Sequence, residues 1–133
     1  MNIHPAADYR MRLELFVHDI VRARDFYERV LGFQGETGQD DGYTALHNGA
    51  VRLALNRLDG LAADHPVQAH PHERLGRGVE LVLMTADLQA LYRHVCTQGW
   101  PLAAPLQQRP WGLFDFRLVD PDGYYWRITE QRT

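Results

Sequence analysis

The chain has 133 residues, 45% of them hydrophobic and 23% charged, with a net charge of −3. That length suits one domain, that balance excludes disorder, and 14 basic against 17 acidic residues leave no cationic excess for nucleic acid. The single cysteine, Cys96, excludes an internal disulfide and a CxxC zinc knuckle, and no run approaches the roughly 20 apolar residues of a membrane span, so a cytoplasmic domain is expected.

Leu13, Leu15 and Val17 alternate with Arg12, Glu14 and Phe16, which predicts a strand. Asp19 stands at the N-cap of a helix whose apolar residues, Val21, Ala23, Phe26, Tyr27, Val30 and Leu31, recur at helical spacing. Gly32 suits its C-terminal end. Thr44–Leu46 and Val51–Leu55 flank His47-Asn48-Gly49, a hairpin signal. Residues 58–77, with Gly60, Pro66, Pro71 and Gly76, show little periodicity and read as a linker. The pattern then restarts. Val79, Leu81 and Leu83 alternate with Glu80, Val82 and Met84, and Asp87 opens a second helix through Leu88, Leu91, Tyr92 and Val95. A short strand near Leu102 follows. Leu113–Val119 and Tyr124–Glu130 then flank Asp120-Pro121-Asp122-Gly123, a turn with proline second and glycine fourth.

Both halves therefore run strand, helix, then about three strands, and the capping Asp19 and Asp87 lie 68 residues apart. An internal duplication is the simplest account, with a first βαβββ module over 11–57, a linker over 58–77 and a second module over 78–130. The expected fold class is α+β, two such modules forming an incomplete barrel around a concave pocket. Strand alternation assigns Leu13, Leu15, Leu53, Leu55, Val79, Leu81, Leu83, Trp126 and Ile128 to the core. The opposite face receives Arg12, Glu14, Phe16, Arg52, Ala54, Asn56, Glu80, Val82, Met84, Tyr125, Arg127 and Thr129. Arg–Glu pairing is expected there, because unpaired buried charges are costly.

Several words in this order carry a resemblance. They are Val17-His18-Asp19, Asp25-Phe26-Tyr27, Leu31-Gly32-Phe33, Pro110-Trp111-Gly112, Asp115-Phe116-Arg117 and Asp120-Pro121-Asp122-Gly123. With the paired βαβββ order, the chain resembles the vicinal-oxygen-chelate superfamily of glyoxalases, bleomycin resistance proteins and dioxygenases. The Pro-Trp-Gly word is most similar to the bleomycin-resistance branch. The resemblance implies a homodimer with sites at or near its interface. It also implies four metal-ligand positions, which fall on Arg12, Ala54, Glu80 and Arg127 in this chain; a slip of two residues would offer Glu14 instead. Arginine has no acceptor lone pair and alanine no ligand atom, so only Glu80 of that set is able to bind a cation. No metal and no other cofactor are expected.

The reading that follows is a metal-independent protein that binds a small molecule, sequestering an antibiotic or a metabolite. Arg12, Phe16, Arg52, Glu80, Trp111, Tyr125 and Arg127 are its candidate ligand-binding residues, with Phe114, Trp100 and Tyr43 behind them. One alternative is a lyase or dioxygenase with atypical metal ligands, or with Glu80 as a general base. Another is a regulatory module with a vestigial pocket. Asp40 and Asp41 read as a solvated turn, and His65, His70 and His72 as exposed linker residues. His18 and His47 read as surface residues, Phe26, Tyr27 and Tyr92 as core, and Cys96 as a buried inert thiol.

Overall fold

The computed structural model describes residues 7–35 and 42–131, so Asp40 and Asp41 lie outside the described residues. In chain order, β1 (Leu13–Val17) leads into α1 (Ile20–Asp25), which continues as one wide π-helical turn over Phe26–Val30. Then come β2 (Gln34–Gly35), β3 (Thr44–Asn48) and β4 (Val51–Arg57). After the linker, β5 (Glu80–Thr85) and α2 (Leu88–Thr97) precede β6 (Ala104–Gln108), β7 (Phe114–Val119) and β8 (Tyr125–Glu130). The sheets have matching orders, β1-β4-β3-β2 and β5-β8-β7-β6, with β1 parallel to β4 and β5 parallel to β8. The duplicated order expected from the sequence is thus present in both halves.

Both helices start as their capping residues dictate. The Asp19 carboxylate accepts from the Arg22 amide and that of Asp87 from the Ala90 amide, each at 3.0 Å. Each first strand feeds its helix across the sheet, and the following strands return beside it. A single core results, holding Leu15, Val17, Phe26, Tyr27, Val30, Leu53 and Leu55 of the first half with Val95, Phe116, Leu118, Trp126 and Ile128 of the second. Burying each such side chain contributes about 1.5–3 kcal/mol. Phe26 packs on Trp100 at 4.7 Å between centroids, and Tyr27 on Trp126 at 5.9 Å. Two expectations fail at the rim. Val79 precedes β5 and is 56% exposed, because the strand's first ladder partner is Glu80. Cys96 is exposed, because it faces away from the core-facing Val95 on α2.

The Asp120-Pro121-Asp122-Gly123 turn ties the halves together. Asp120 Oδ1 accepts the amides of Asp122, Gly123 and Tyr124, each at 2.9 Å. Its Oδ2 accepts the Tyr27 hydroxyl at 2.6 Å, and that hydroxyl accepts from the Trp126 indole at 3.1 Å. Asp122 accepts the His18 amide at 2.8 Å, and the Tyr124 hydroxyl donates to the Phe16 carbonyl at 2.8 Å. Burial pushes the Asp120 carboxyl up to about 6 despite those donors. Burial likewise raises Asp122 and pushes Tyr124 up to about 12. This knot turns the helix-bearing sides of both modules inward and leaves the other faces of both sheets open.

Candidate functional site

The open face of the second sheet is built in rows. Register places Glu80, Tyr125 and Val119 in one row, Val82, Arg127 and Arg117 in the next, and Met84, Thr129 and Asp115 in the third. Arg117 and Arg127 are direct cross-strand partners, a like-charge pair that is unfavourable by itself. Carboxylates offset it. Glu80 lies 3.8 Å from Arg127 Nε and 4.0 Å from Arg117 Nη1. The fully buried Asp115 carboxylate accepts from Arg109 Nε at 2.8 Å and from Arg117 Nη2 at 3.3 Å. The Tyr125 side chain first, and Asp115 second, raise the Arg117 pKa further. Arg127 Nε is buried yet has no hydrogen-bond acceptor, since Glu80 stands beyond bonding distance.

Trp111 hangs over this face on the loop between β6 and β7. The loop is closed by Arg109 N–H to the Leu113 carbonyl and Gly112 N–H to the Arg109 carbonyl, both at 2.9 Å. Gln108 Nε2 also donates to the Gly112 carbonyl at 3.0 Å. So pinned, the indole lies 5.6 Å from the Arg127 guanidinium carbon, within cation–π range, and is still 49% exposed. A second opening adjoins the first row, a cavity of about 630 Å³ between Glu80, Tyr125 and the linker residues Arg74 and Arg77.

The first sheet carries the other candidates separately. Arg12 Nε donates to Glu14 at 3.0 Å, and the Tyr43 hydroxyl donates to the same oxygen at 3.3 Å. Phe16 and Asn56 are register partners beside this pair, and Asn56 Nδ2 is buried without a partner. Arg52 is exposed and paired across the ladder with His47, which stands half-buried in β3 rather than in the turn. Ala54 is fully buried on β4 next to Glu14. The structure therefore makes two groups, Arg12, Phe16 and Arg52 on one sheet and Glu80, Trp111, Tyr125 and Arg127 on the other. Phe114 and Tyr43 are exposed, whereas Trp100 is committed to the core and donates to the Val119 carbonyl at 2.9 Å. His18, His65, His70 and His72 are exposed.

A family model described as the glyoxalase/bleomycin resistance protein/dioxygenase superfamily matches residues 10–128. The chain belongs to that superfamily. Solved structures share its fold at low identity. TioX from Micromonospora sp. ML1 is 23% identical over 94% of this chain and 100% of its own, with a TM-score of 0.74. A protein of unknown function from Agrobacterium tumefaciens str. C58 is 24% identical over 98% and 100%, with a TM-score of 0.76. A lactoylglutathione lyase from Agrobacterium tumefaciens is 18% identical over 95% of each chain, with a TM-score of 0.70. No curated protein matches the chain. Among the described residues, no helix is long and apolar enough to cross a membrane.

The four positions that the resemblance assigns to metal ligands hold little that could bind a cation. Arg12 and Arg127 offer only donors, Ala54 offers nothing, and Glu80 already faces two guanidinium groups. Among the described residues no three His, Cys, Asp or Glu side chains cluster as a metal site would require. The set that the resemblance assigns does not fit a divalent cation. Arg74, Arg77, Arg109, Asp115 and Arg117 were not among the candidate site residues, although Asp115 and Arg117 stood in a word that carries the resemblance. Alternation across β7 placed Asp115 and Arg117 opposite the core residues Phe116 and Leu118 and was a usable signal; the aperiodic linker gave none for Arg74 and Arg77.

Proposed function

We propose that this superfamily member binds an organic small molecule stoichiometrically and without a metal on the open face of the second sheet. The half-exposed Trp111 indole beside Arg127, held on a closed loop, carries this reading. An aromatic platform next to a fixed cation binds a flat molecule and supplies no nucleophile. Glu80 bridges two guanidinium groups and serves as their counter-charge rather than as a proton acceptor. Arg12, Phe16 and Arg52 contribute from the first sheet of a second copy in a homodimer, whose docking encloses the ligand. Sequestration then follows from affinity alone.

The test is a screen of aromatic compounds by ligand-observed NMR, with product analysis of each binder. Trp111→Ala is expected to weaken the best binder by at least about tenfold, as an aromatic anchor does, and the compound should be recovered unchanged. Turnover of the compound, or affinity indifferent to Trp111, would overturn the reading.

A further inference from the structure

The open face carries more positive charge than its carboxylates balance, and the surplus is concentrated at one end. Arg109, Arg117 and Arg127 share two carboxylates, Asp115 and Glu80, each already divided between two guanidinium groups. Arg74 and Arg77 then add two cations beside Glu80 and Tyr125, at the cavity of about 630 Å³. Arg74 donates Nε to the Gly123 carbonyl at 3.1 Å and has no acidic partner, and Arg77 has no hydrogen-bond or ion-pair partner among the described residues. Two glycines shape the backbone there, one packed and one open. Gly76 has φ +77° with the Tyr124 ring where a side chain would go, and Gly78 has φ +82° with no atom within 4 Å of that place. Within the face, Arg127 Nε is a buried donor lacking an acceptor. An unpaired guanidinium at a polar cavity recognises planar oxyanions through its fixed fork of donors.

We propose that the ligand is an aromatic acid, its carboxylate or phosphate held by Arg77 and Arg74 and its ring lying toward Trp111. This rests on the binding reading above and names its ligand class. The row of Glu80 and Tyr125 lies two residues along β8 from the row of Arg127, a separation of about 7 Å. Trp111 overhangs the second of these rows and the cavity adjoins the first. The dimensions therefore suit a fused or extended ring system with one acidic substituent, such as a naphthalene carboxylate.

Titration calorimetry of the full chain with naphthoate, naphthyl phosphate and the neutral naphthamide tests this. Both acids are expected to bind at least about tenfold more tightly than the amide, a difference of about 1.4 kcal/mol. Arg77→Gln leaves Arg74 as the single cation and should cut that preference by at least about threefold, whereas Trp111→Ala should weaken all three. The tighter of the two acids distinguishes carboxylate from phosphate. An amide that binds as well as the acids, or an acid preference untouched by Arg77→Gln, overturns the acid while the binding reading stands. Acids that bind with full dependence on Arg77 and none on Trp111 overturn the binding reading and the aromatic half of this one. Failure of all three probes to bind overturns the aromatic acid outright.

Discussion

At the scale of single residues, Glu80 and Asp120 are two carboxylates with opposite circumstances. Glu80 is part-exposed and stands between the opposed Arg117 and Arg127. Glu80→Gln leaves those guanidinium groups unbridged. Solvent screens an exposed pair, so the expected loss of stability is no more than about 1 kcal/mol in urea unfolding. Glu80 lines the cavity assigned to the anion, so removing its negative charge should tighten naphthoate by about threefold or more; weaker binding would show that Glu80 itself contacts the ligand. Asp120 is buried, and its carboxyl is pushed up to about 6. A folded-state value above the unfolded one means the folded protein holds the proton more firmly. Its contribution is therefore fully present below about pH 4 and lost as pH rises through 6, a change of about 3 kcal/mol at most. A side-chain carboxyl NMR titration should show a midpoint near 6, and a midpoint near the ordinary carboxylate value would sink the expectation. Tyr27→Phe removes the hydroxyl that donates to Asp120 and accepts from Trp126. Leaving Asp120 Oδ2 and the Trp126 indole N–H without partners should cost about 2–4 kcal/mol in urea unfolding.

At the scale of elements, local chemistry was legible and long-range pairing was not. The capping aspartates and Gly32 marked α1 and α2 because a cap satisfies helix-end amides through nearest neighbours. The Asp-Pro-Asp-Gly turn was legible as a turn only. Its grip on Tyr27 and His18 spans about a hundred residues of sequence, and no local pattern encodes it. Cys96 and Val79 were misplaced because periodicity assigns faces and does not say where the opposing layer ends. The glycine of this turn gives a sharp test. Gly123 sits at φ +111°, and a Cβ there would strike the Arg74 side chain and stand 3.0 Å from the Leu75 backbone nitrogen. Gly49 sits at φ +56° with nothing within 4 Å. Gly49→Ala should cost about 1 kcal/mol, the ordinary penalty of left-handed backbone, while Gly123→Ala should cost more than about 2 kcal/mol. Equal losses in urea unfolding would mean that the linker yields freely to the turn, and the Arg74 side of the anion cavity would lose its rigid wall.

At the scale of the whole molecule, the chain has one shared core and two open sheet faces. Val82 is 41% and Met84 60% exposed on the second, while Tyr43 is 51% exposed beside Glu14 on the first. Val82 and Met84 lie on the edge strand β5 and Tyr43 just before β3, an exposed apolar rim that a second copy would cover. A two-fold axis that seats the first sheet of one copy over the second sheet of the other covers both faces twice with the same contacts. It also brings Arg12, Phe16 and Arg52 opposite Trp111 and Arg127, which one chain alone keeps on separate sheets. Such an interface must bury on the order of 1,200 Å² or more to hold at micromolar concentration. Sedimentation should therefore find a dimer in the wild type. Met84→Glu puts a charge on the edge strand of the covered face and should give a monomer whose fold, by circular dichroism, is unchanged, since Met84 is outside the core. Naphthoate binding should weaken in the same variant, because the first-sheet residues leave the site. A wild type that sediments as a monomer would leave the second sheet to bind its ligand alone. A dimer insensitive to Met84→Glu would place the contact on the other surface of the chain.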